Sequence, residues 1–342
     1  MARYDRLSAR PQPKLVSDRG SAAWSHNLAD SEWDRTLAEW SGHPLQSALW
    51  GEARRRVDGI ASEYWCARIG GVPALVARIE VRRLGPIGKA AWIPKGPTLA
   101  PGVDSGAALQ GMLDHLRARG FLVAISDLYK QSTQPLPDGV PLLPNSPTAF
   151  VDLRLGRDAL LAAIDSKTRY GIRAAEKARL IVEQSRSELD VSAFFALCAQ
   201  LSEDKAFALP GSEALMQALC AGPAGAPVEA RLFVARSEGK FAAGALTLRC
   251  GKSLHYMWGA MDRAFVKLHA SEAIQWAVMQ WGVGNGIETY DLEGIDTVNN
   301  PGTAKFKLKL GGVETAMPGR RAYALGPLGA IALRAGRWLG KI

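Results

Sequence analysis

Twice along this chain, two alternating segments meet at glycine and are followed by a helix and then a strand. That order commits each half to a mixed α/β unit. In the first half, residues 63–69 and 73–81 read as strands, and Gly70 and Gly71 between them supply the positive φ of a tight hairpin. A helix from about Ser105 to Arg119, ended by Gly120, and a strand over 121–126 come next. In the second half, strands at 230–236, 241–249 and 253–260 precede a helix over 270–281 and a strand over 287–292. Helices precede each hairpin: Gln46 to Val57 in the first unit, and in the second one near Asp158, one capped by Ser166 and running to Ala178, and one over 189–202. The second unit starts with a strand at 148–153, after a stretch from Gln134 to Pro147 whose five prolines read as a linker or long loop. The halves do not repeat visibly in sequence, yet their plan suggests duplication.

A length of 342 residues suffices for two full cores, because a single core stops growing near ~250 residues. With 47% hydrophobic and 22% charged residues, disorder is excluded as the main theme. The net charge of +9 points to a polyanionic partner: nucleic acid, a nucleotide-linked substrate or anionic lipid. Cys66, Cys198, Cys220 and Cys250 are too scattered for a zinc site or a disulfide framework, so a cytoplasmic protein is expected. Residues 1–22, rich in arginine and proline, read as a flexible basic arm without the apolar run of a signal peptide. No stretch of ~18 apolar residues is present to cross a bilayer.

The segment 301–312 alternates Lys305, Lys307 and Lys309 with Phe306, Leu308 and Leu310 before a diglycine. Strict alternation predicts a strand with a row of cations on one face and core on the other. An edge strand guarded by lysines against sheet-to-sheet association is one reading, and a site is the other. The preceding strand ends in the carboxylates Asp291 and Glu293, which favours the site.

YDLEGI followed by FKLKLGG resembles the closing signature of the FemXAB aminoacyltransferases, which move amino acids from aminoacyl-tRNA onto peptidoglycan precursors. PLQSALWGEAR at 44–54, WIPKGP at 92–97, and DLR with SKTRYGIRAAEKA over 152–178 agree with it in the family's order. The resemblance covers roughly residues 40–325. It implies two acyl-CoA N-acetyltransferase-like (GNAT-like) domains, each a mixed sheet flanked by helices. The first would span 23–147, completed by 318–342, and the second 148–317.

The implied reaction is attack of an amine on an aminoacyl ester, with negative charge developing on the carbonyl oxygen. A fixed cation there contributes roughly 3–4 kcal/mol. The resemblance gives that role to Lys307 with Phe306, leaves Lys305 and Lys309 to line the tRNA acceptor end, and matches Asp127 to an acidic position suited to proton removal from the amine. Asp291 and Glu293 are second candidates for that base. Arg54 stands where the family carries a lysine on the acceptor's diphosphate, and Lys205 where it carries arginine, so charge is kept and shape altered. Leu209 replaces a tyrosine found in some members, and Tyr256, beside His255, stands where the family has a tyrosine lining the site. Arg169, Arg173 and Lys177, spaced by four on one helix, form a stripe suited to RNA backbone or to solvent alone.

No Gly-rich phosphate loop, HExxH or Gly-x-Ser-x-Gly elbow is present. Gly282, Gly284 and Gly286 follow a helix and precede a strand, the reverse of a dinucleotide motif. The expectation is a monomeric aminoacyltransferase that needs no metal or cofactor, takes aminoacyl-tRNA as co-substrate and acts on a nucleotide- or lipid-linked muramyl peptide. A GNAT-type N-acyltransferase using acyl-CoA or acyl carrier protein is the alternative, although no Arg/Gln-x-x-Gly-x-Gly/Ala loop opens the helix near 270. Residues 328–342 read as an amphipathic basic helix that docks on the first domain or touches the inner membrane surface.

Overall fold

Alternating apolar residues build two sheets, each needing helices to cover its faces. The computed structural model describes residues 22–26, 30–129, 135–142, 147–205, 209 and 211–338. The N-terminal arm expected over residues 1–22 lies outside the described residues except for its last position. In chain order the first sheet gathers β1 (Ala23–His26), β2 (Ser62–Ile69), β3 (Val72–Arg83), β4 (Lys89–Ile93), β5 (Thr98–Leu99), β6 (Phe121–Asp127) and β7 (Val140–Pro141). The second contains β8 (Thr148–Asp152), β9 (Ile181–Ser185), β10 (Val228–Ser237), β11 (Lys240–Cys250), β12 (Ser253–Met261), β13 (Thr289–Asp291) and β14 (Val313–Thr315). The chain then returns to the first sheet with β15 (Arg320–Ala324).

Strand order is β1-β2-β3-β4-β6-β15-β7, with β5 on β3, and β14-β8-β13-β12-β11-β10-β9. The sheets share one pattern: an antiparallel run, one parallel junction, then two antiparallel pairings. The junction is β4 with β6 in the first and β12 with β13 in the second. Parallel neighbours fed from one end present their carboxyl ends side by side, where loops diverge and a crevice opens.

Alternation along β10 explains how the second sheet is covered. Phe233 and Ala235 face a core shared with Ile274, Trp276 and Val278 of the Ala270–Gly284 helix. Leu232 and Val234 face the opposite core with Phe194 and Leu215. Trp50 and Ala53 of the Ala48–Asp58 helix enter that second core, and Trp50 stacks on Trp258 at 6.1 Å between ring centroids. A helix of the first unit is thus built into the core of the second.

The PLQSALWGEAR segment earns its place by packing. Gln46 is fully buried and donates to the carbonyls of Pro94 (2.7 Å) and Arg78 (3.2 Å) while accepting from Arg78 N–H (2.8 Å). Ser47 caps the following helix by accepting from Trp50 N–H at 3.0 Å. A Cβ on Gly96 would lie 2.5 Å from the Gln46 amide carbon, so the WIPKGP segment needs glycine there. Together these contacts fix the turn that carries His43.

Candidate active site

The expected lysine strand over 301–312 is a helix, Pro301–Lys309. Proline at its first turn has no N–H to lose and a preset φ, and Ala304 and Lys307, three apart, are its buried positions. On a helix, Lys305 and Lys309 share one face and Lys307 points to the other, so there is no row of three cations. Lys305 is exposed, while Lys309 lies 3.8 Å from Asp165. Both line adjacent cavities of about 460 and 550 Å³, the larger shared with Phe306, Lys167, Tyr170 and His269.

Lys307 is only 8% exposed, and its ammonium donates to the carbonyls of Gly294 (2.9 Å) and Glu293 (3.2 Å). Its Nζ lies 5.9 Å from the Tyr256 ring centroid. An ammonium has three donors, and two are taken. The third has no partner among the described residues. Burial pushes the Lys307 pKa below an ordinary lysine's, with Glu293 and Asp291 working in the other direction.

Glu293 sits just past the parallel junction, where His255 of β12 pairs with Asp291 of β13. Its φ of 59° is costly for a residue with a side chain. What holds it there is a set of bonds on either side. Its N–H donates to Asp291 Oδ1 at 2.8 Å, and its Oε1 accepts from His43 Nε2 at 2.8 Å and His255 Nδ1 at 2.9 Å. His43 belongs to the first unit, so this carboxylate joins the two. Asp291 accepts two further bonds: Tyr129 OH donates to Oδ2 at 2.8 Å and Thr148 OH to Oδ1.

The charges follow from these bonds. Burial drives His43 down to about 3, so it is neutral. Burial also opposes charge on Glu293, but His43, His255 and the nearby Lys95 outweigh it and hold the carboxyl well below its usual range. Burial and the Glu293 charge push Asp291 up, and burial keeps the Tyr129 phenol protonated as a donor.

His43, His255 and Glu293 bring three potential metal-ligand atoms within 4.8 Å of one another. Hydrogen bonding argues against a metal. His43 Nδ1 accepts from Leu45 N–H at 3.1 Å, so we assign the ring proton to Nε2, which leaves no lone pair facing Glu293. The trio is a hydrogen-bonded cluster, and His255 Nε2 is buried with no partner among the described residues.

Other residues singled out from the sequence are spread more widely. Asp127 closes β6 and pairs with Arg320 at 3.6 Å; it is Tyr129, two residues on, that reaches Asp291. Arg54 pairs with Asp58 and lies 4.0 Å from Glu80, within a network that includes buried Arg78. Lys205 ends the Glu188–Lys205 helix, with its side chain outside the described residues, and Leu209 is half-buried against the second core. Arg169 turns back onto the carbonyls of Ala162 (3.0 Å) and Ile164 through one guanidinium nitrogen, ending the Gly156–Ala163 helix. Arg173 and Lys177 are exposed. No sequence signal marks His43 and Tyr129, since each is a lone polar residue in a loop that only folding brings to Glu293 and Asp291 respectively.

Residues 164–308 match the Acetyltransferase (GNAT) domain family. No curated protein matches the sequence. Among solved structures, FemX is 16% identical with a TM-score of 0.76, over 92% of this chain and 99% of that one. The fold is that of FemX. The resemblance read from the sequence therefore extends to the whole architecture of two GNAT-like domains. A tandem GNAT protein from the clavulanic acid biosynthesis pathway is 12% identical with a TM-score of 0.52, over 90% of this chain and 99% of that one. L-PGS from Bacillus licheniformis is 15% identical with a TM-score of 0.50, over 90% and 95%.

Proposed function

We propose that this protein is an aminoacyltransferase that moves an amino acid from aminoacyl-tRNA to the side-chain amine of a peptidoglycan stem peptide. The observation that carries the reading is the buried Lys307 ammonium, fixed by two carbonyls with one N–H left to give. The amine attacks the ester carbonyl, the C–N bond forms, and the carbonyl oxygen gains negative charge that Lys307 N–H receives. Collapse expels the ribose oxygen of the tRNA, which takes up a proton as the new amide forms. Such a preorganised donor needs no reorganisation when the charge appears.

The attacking amine must lose a proton. Glu293 is the better placed carboxylate, because Asp291 already accepts from three donors while Oε2 of Glu293 is not used by either histidine. Its low pKa makes it a weak base, so it orients the incoming ammonium and accepts its proton as attack proceeds. Lys305 and Lys309, beside the two cavities, offer charge to the acceptor end of the tRNA.

One observation disfavours the acyl-CoA alternative. Ahead of the Ala270–Gly284 helix three N–H groups are spent internally: Ala264 N–H on Asp262 Oδ1 (2.8 Å), Phe265 N–H on Asp262 O (3.0 Å) and His269 N–H on Val266 O (3.3 Å), so this segment offers no open loop of N–H groups in addition to the helix start.

The test is incubation with charged tRNA and a nucleotide-linked muramyl pentapeptide, followed by mass spectrometry of the peptide. A new amide is expected, with Lys307→Ala reducing its rate about 10²–10³-fold. Acylation from acyl-CoA without tRNA would establish the alternative.

A further inference from the structure

The Pro327–Trp338 helix has two apolar faces, and only one of them is covered. Gly329 and Leu333 are buried, and Leu333 shares a small core with Ala90, Val123 and Ala322 of the first sheet. On the other side Leu328 is 64% exposed, Ile331 62% and Trp338 87%. At 3.6 residues per turn these three and exposed Ala335 fall within an arc of about 80°. That is a continuous stripe, left exposed among the described residues.

The charged residues on the helix itself are all basic, while Asp114 and Asp138 share a cavity with Arg117 and Gly326 at its start. Arg334 and Arg337 are exposed beside the stripe, and Arg117 lies close to Gly326 at the start of the helix. The turn 84–88 is a neighbour of the helix, since Leu84 packs on the core that holds Leu333, and it carries exposed Ile87 (64%) and Arg83. From residue 315 to residue 342 the sequence contains no Asp or Glu but five basic residues: Arg320, Arg321, Arg334, Arg337 and Lys341. A nucleic acid would use the cations and leave the leucine, isoleucine and tryptophan in water. A helix of 12 residues is about 18 Å long, too short to span ~30 Å of hydrocarbon.

We propose that this face, the exposed stripe of the Pro327–Trp338 helix with the Ile87 turn, is a docking surface for a bilayer rich in anionic phospholipid. The helix would lie in the interfacial plane, with Leu328, Ile331 and Trp338 among the acyl chains and the arginines at headgroup phosphates. Burial of apolar surface and attraction to anionic lipid are both required, which separates this mode from simple adsorption of a basic protein.

The experiment is co-sedimentation of the full chain with vesicles of phosphatidylcholine alone or mixed with phosphatidylglycerol. Binding is expected only to the mixed vesicles and should weaken at high salt. Ile331→Asp, or Leu328→Asp with Trp338→Ala, should weaken it more than tenfold, and Arg334→Glu with Arg337→Glu should do the same. All these side chains are exposed, so an unchanged melting curve would show that the fold is intact. If the variants do unfold, binding of wild type at increasing salt, with Ile87→Asp, supplies the same comparison. Absence of binding to mixed vesicles would overturn the proposal. So would binding that survives the aspartate variants, or a solution dimer that Ile331→Asp dissolves while vesicle binding is lacking.

Discussion

Lys307, Glu293 and His43 act as one unit, and each titration predicts something different. Because burial lowers the Lys307 pKa, activity that needs its ammonium should fail on the alkaline side below 10.5, the ordinary lysine value. A pH–rate profile checks this, and an alkaline limb at or above 10.5 would contradict it. His43 is depressed from 6.5 to about 3, so between those values the unfolded chain binds a proton that the folded chain refuses. Stability contributed by neutral His43 is present above pH 6.5 and falls as pH drops toward about 3, with a slope approaching 1.4 kcal/mol per pH unit. Glu293, held low in the fold, adds a loss of the same sign below about pH 4.5. Denaturant melts between pH 7 and 5 should show the slope in the wild type and a weaker one in His43→Asn. Under the proposed mechanism, Glu293→Gln should lower kcat about 10²-fold or more through proton handling and Lys307 placement, with little change in the KM for the proposed aminoacyl-tRNA donor.

Among elements, the Pro301–Lys309 helix shows how a true pattern can carry the wrong period. The apolar and basic residues do alternate, but the buried set is Ala304 and Lys307, with Leu310 just past the end, at a spacing of three. Two cues for a helix were in plain sight: proline at the first turn and Gly311 after the last, at φ 82°. The hairpins, by contrast, form where their turn chemistry places them, with Gly70 and Gly71 at positive φ between β2 and β3, and β3, β10 and β11 are buried on both faces. Gln46 shows that a motif can serve architecture and chemistry together, since it ties the turn carrying His43 to β3 and to the segment after β4. Gln46→Ala would leave Pro94 and Arg78 backbone groups buried without partners. It should cost about 2–4 kcal/mol in urea titrations and lower activity by loosening His43. A loss below 1 kcal/mol would assign the anchoring elsewhere.

The two units of the molecule are interlocked twice. Trp50 of the first enters the core of the second, and β15, which follows the second, lies between β6 and β7 in the first sheet. One cooperative unfolding transition is therefore expected, and two resolved calorimetric peaks would refute it. Removing residues 318–342 would expose the edge of β6 and uncover Ala90 and Val123, so the shortened chain should be insoluble or lose most of its thermal stability. By itself the sequence determined two α/β units, the glycine-turned hairpins, a basic balance and the lysine before the diglycine, because these rest on local periodicity, turn chemistry and residue counts. Only the tertiary structure decided that Lys307 faces inward, that Arg169 closes a helix, and that His43, Tyr129 and His255 meet around two carboxylates. Those residues lie up to 250 positions apart in the chain, and burial and hydrogen-bond partners at that range are properties of packing rather than of any local pattern.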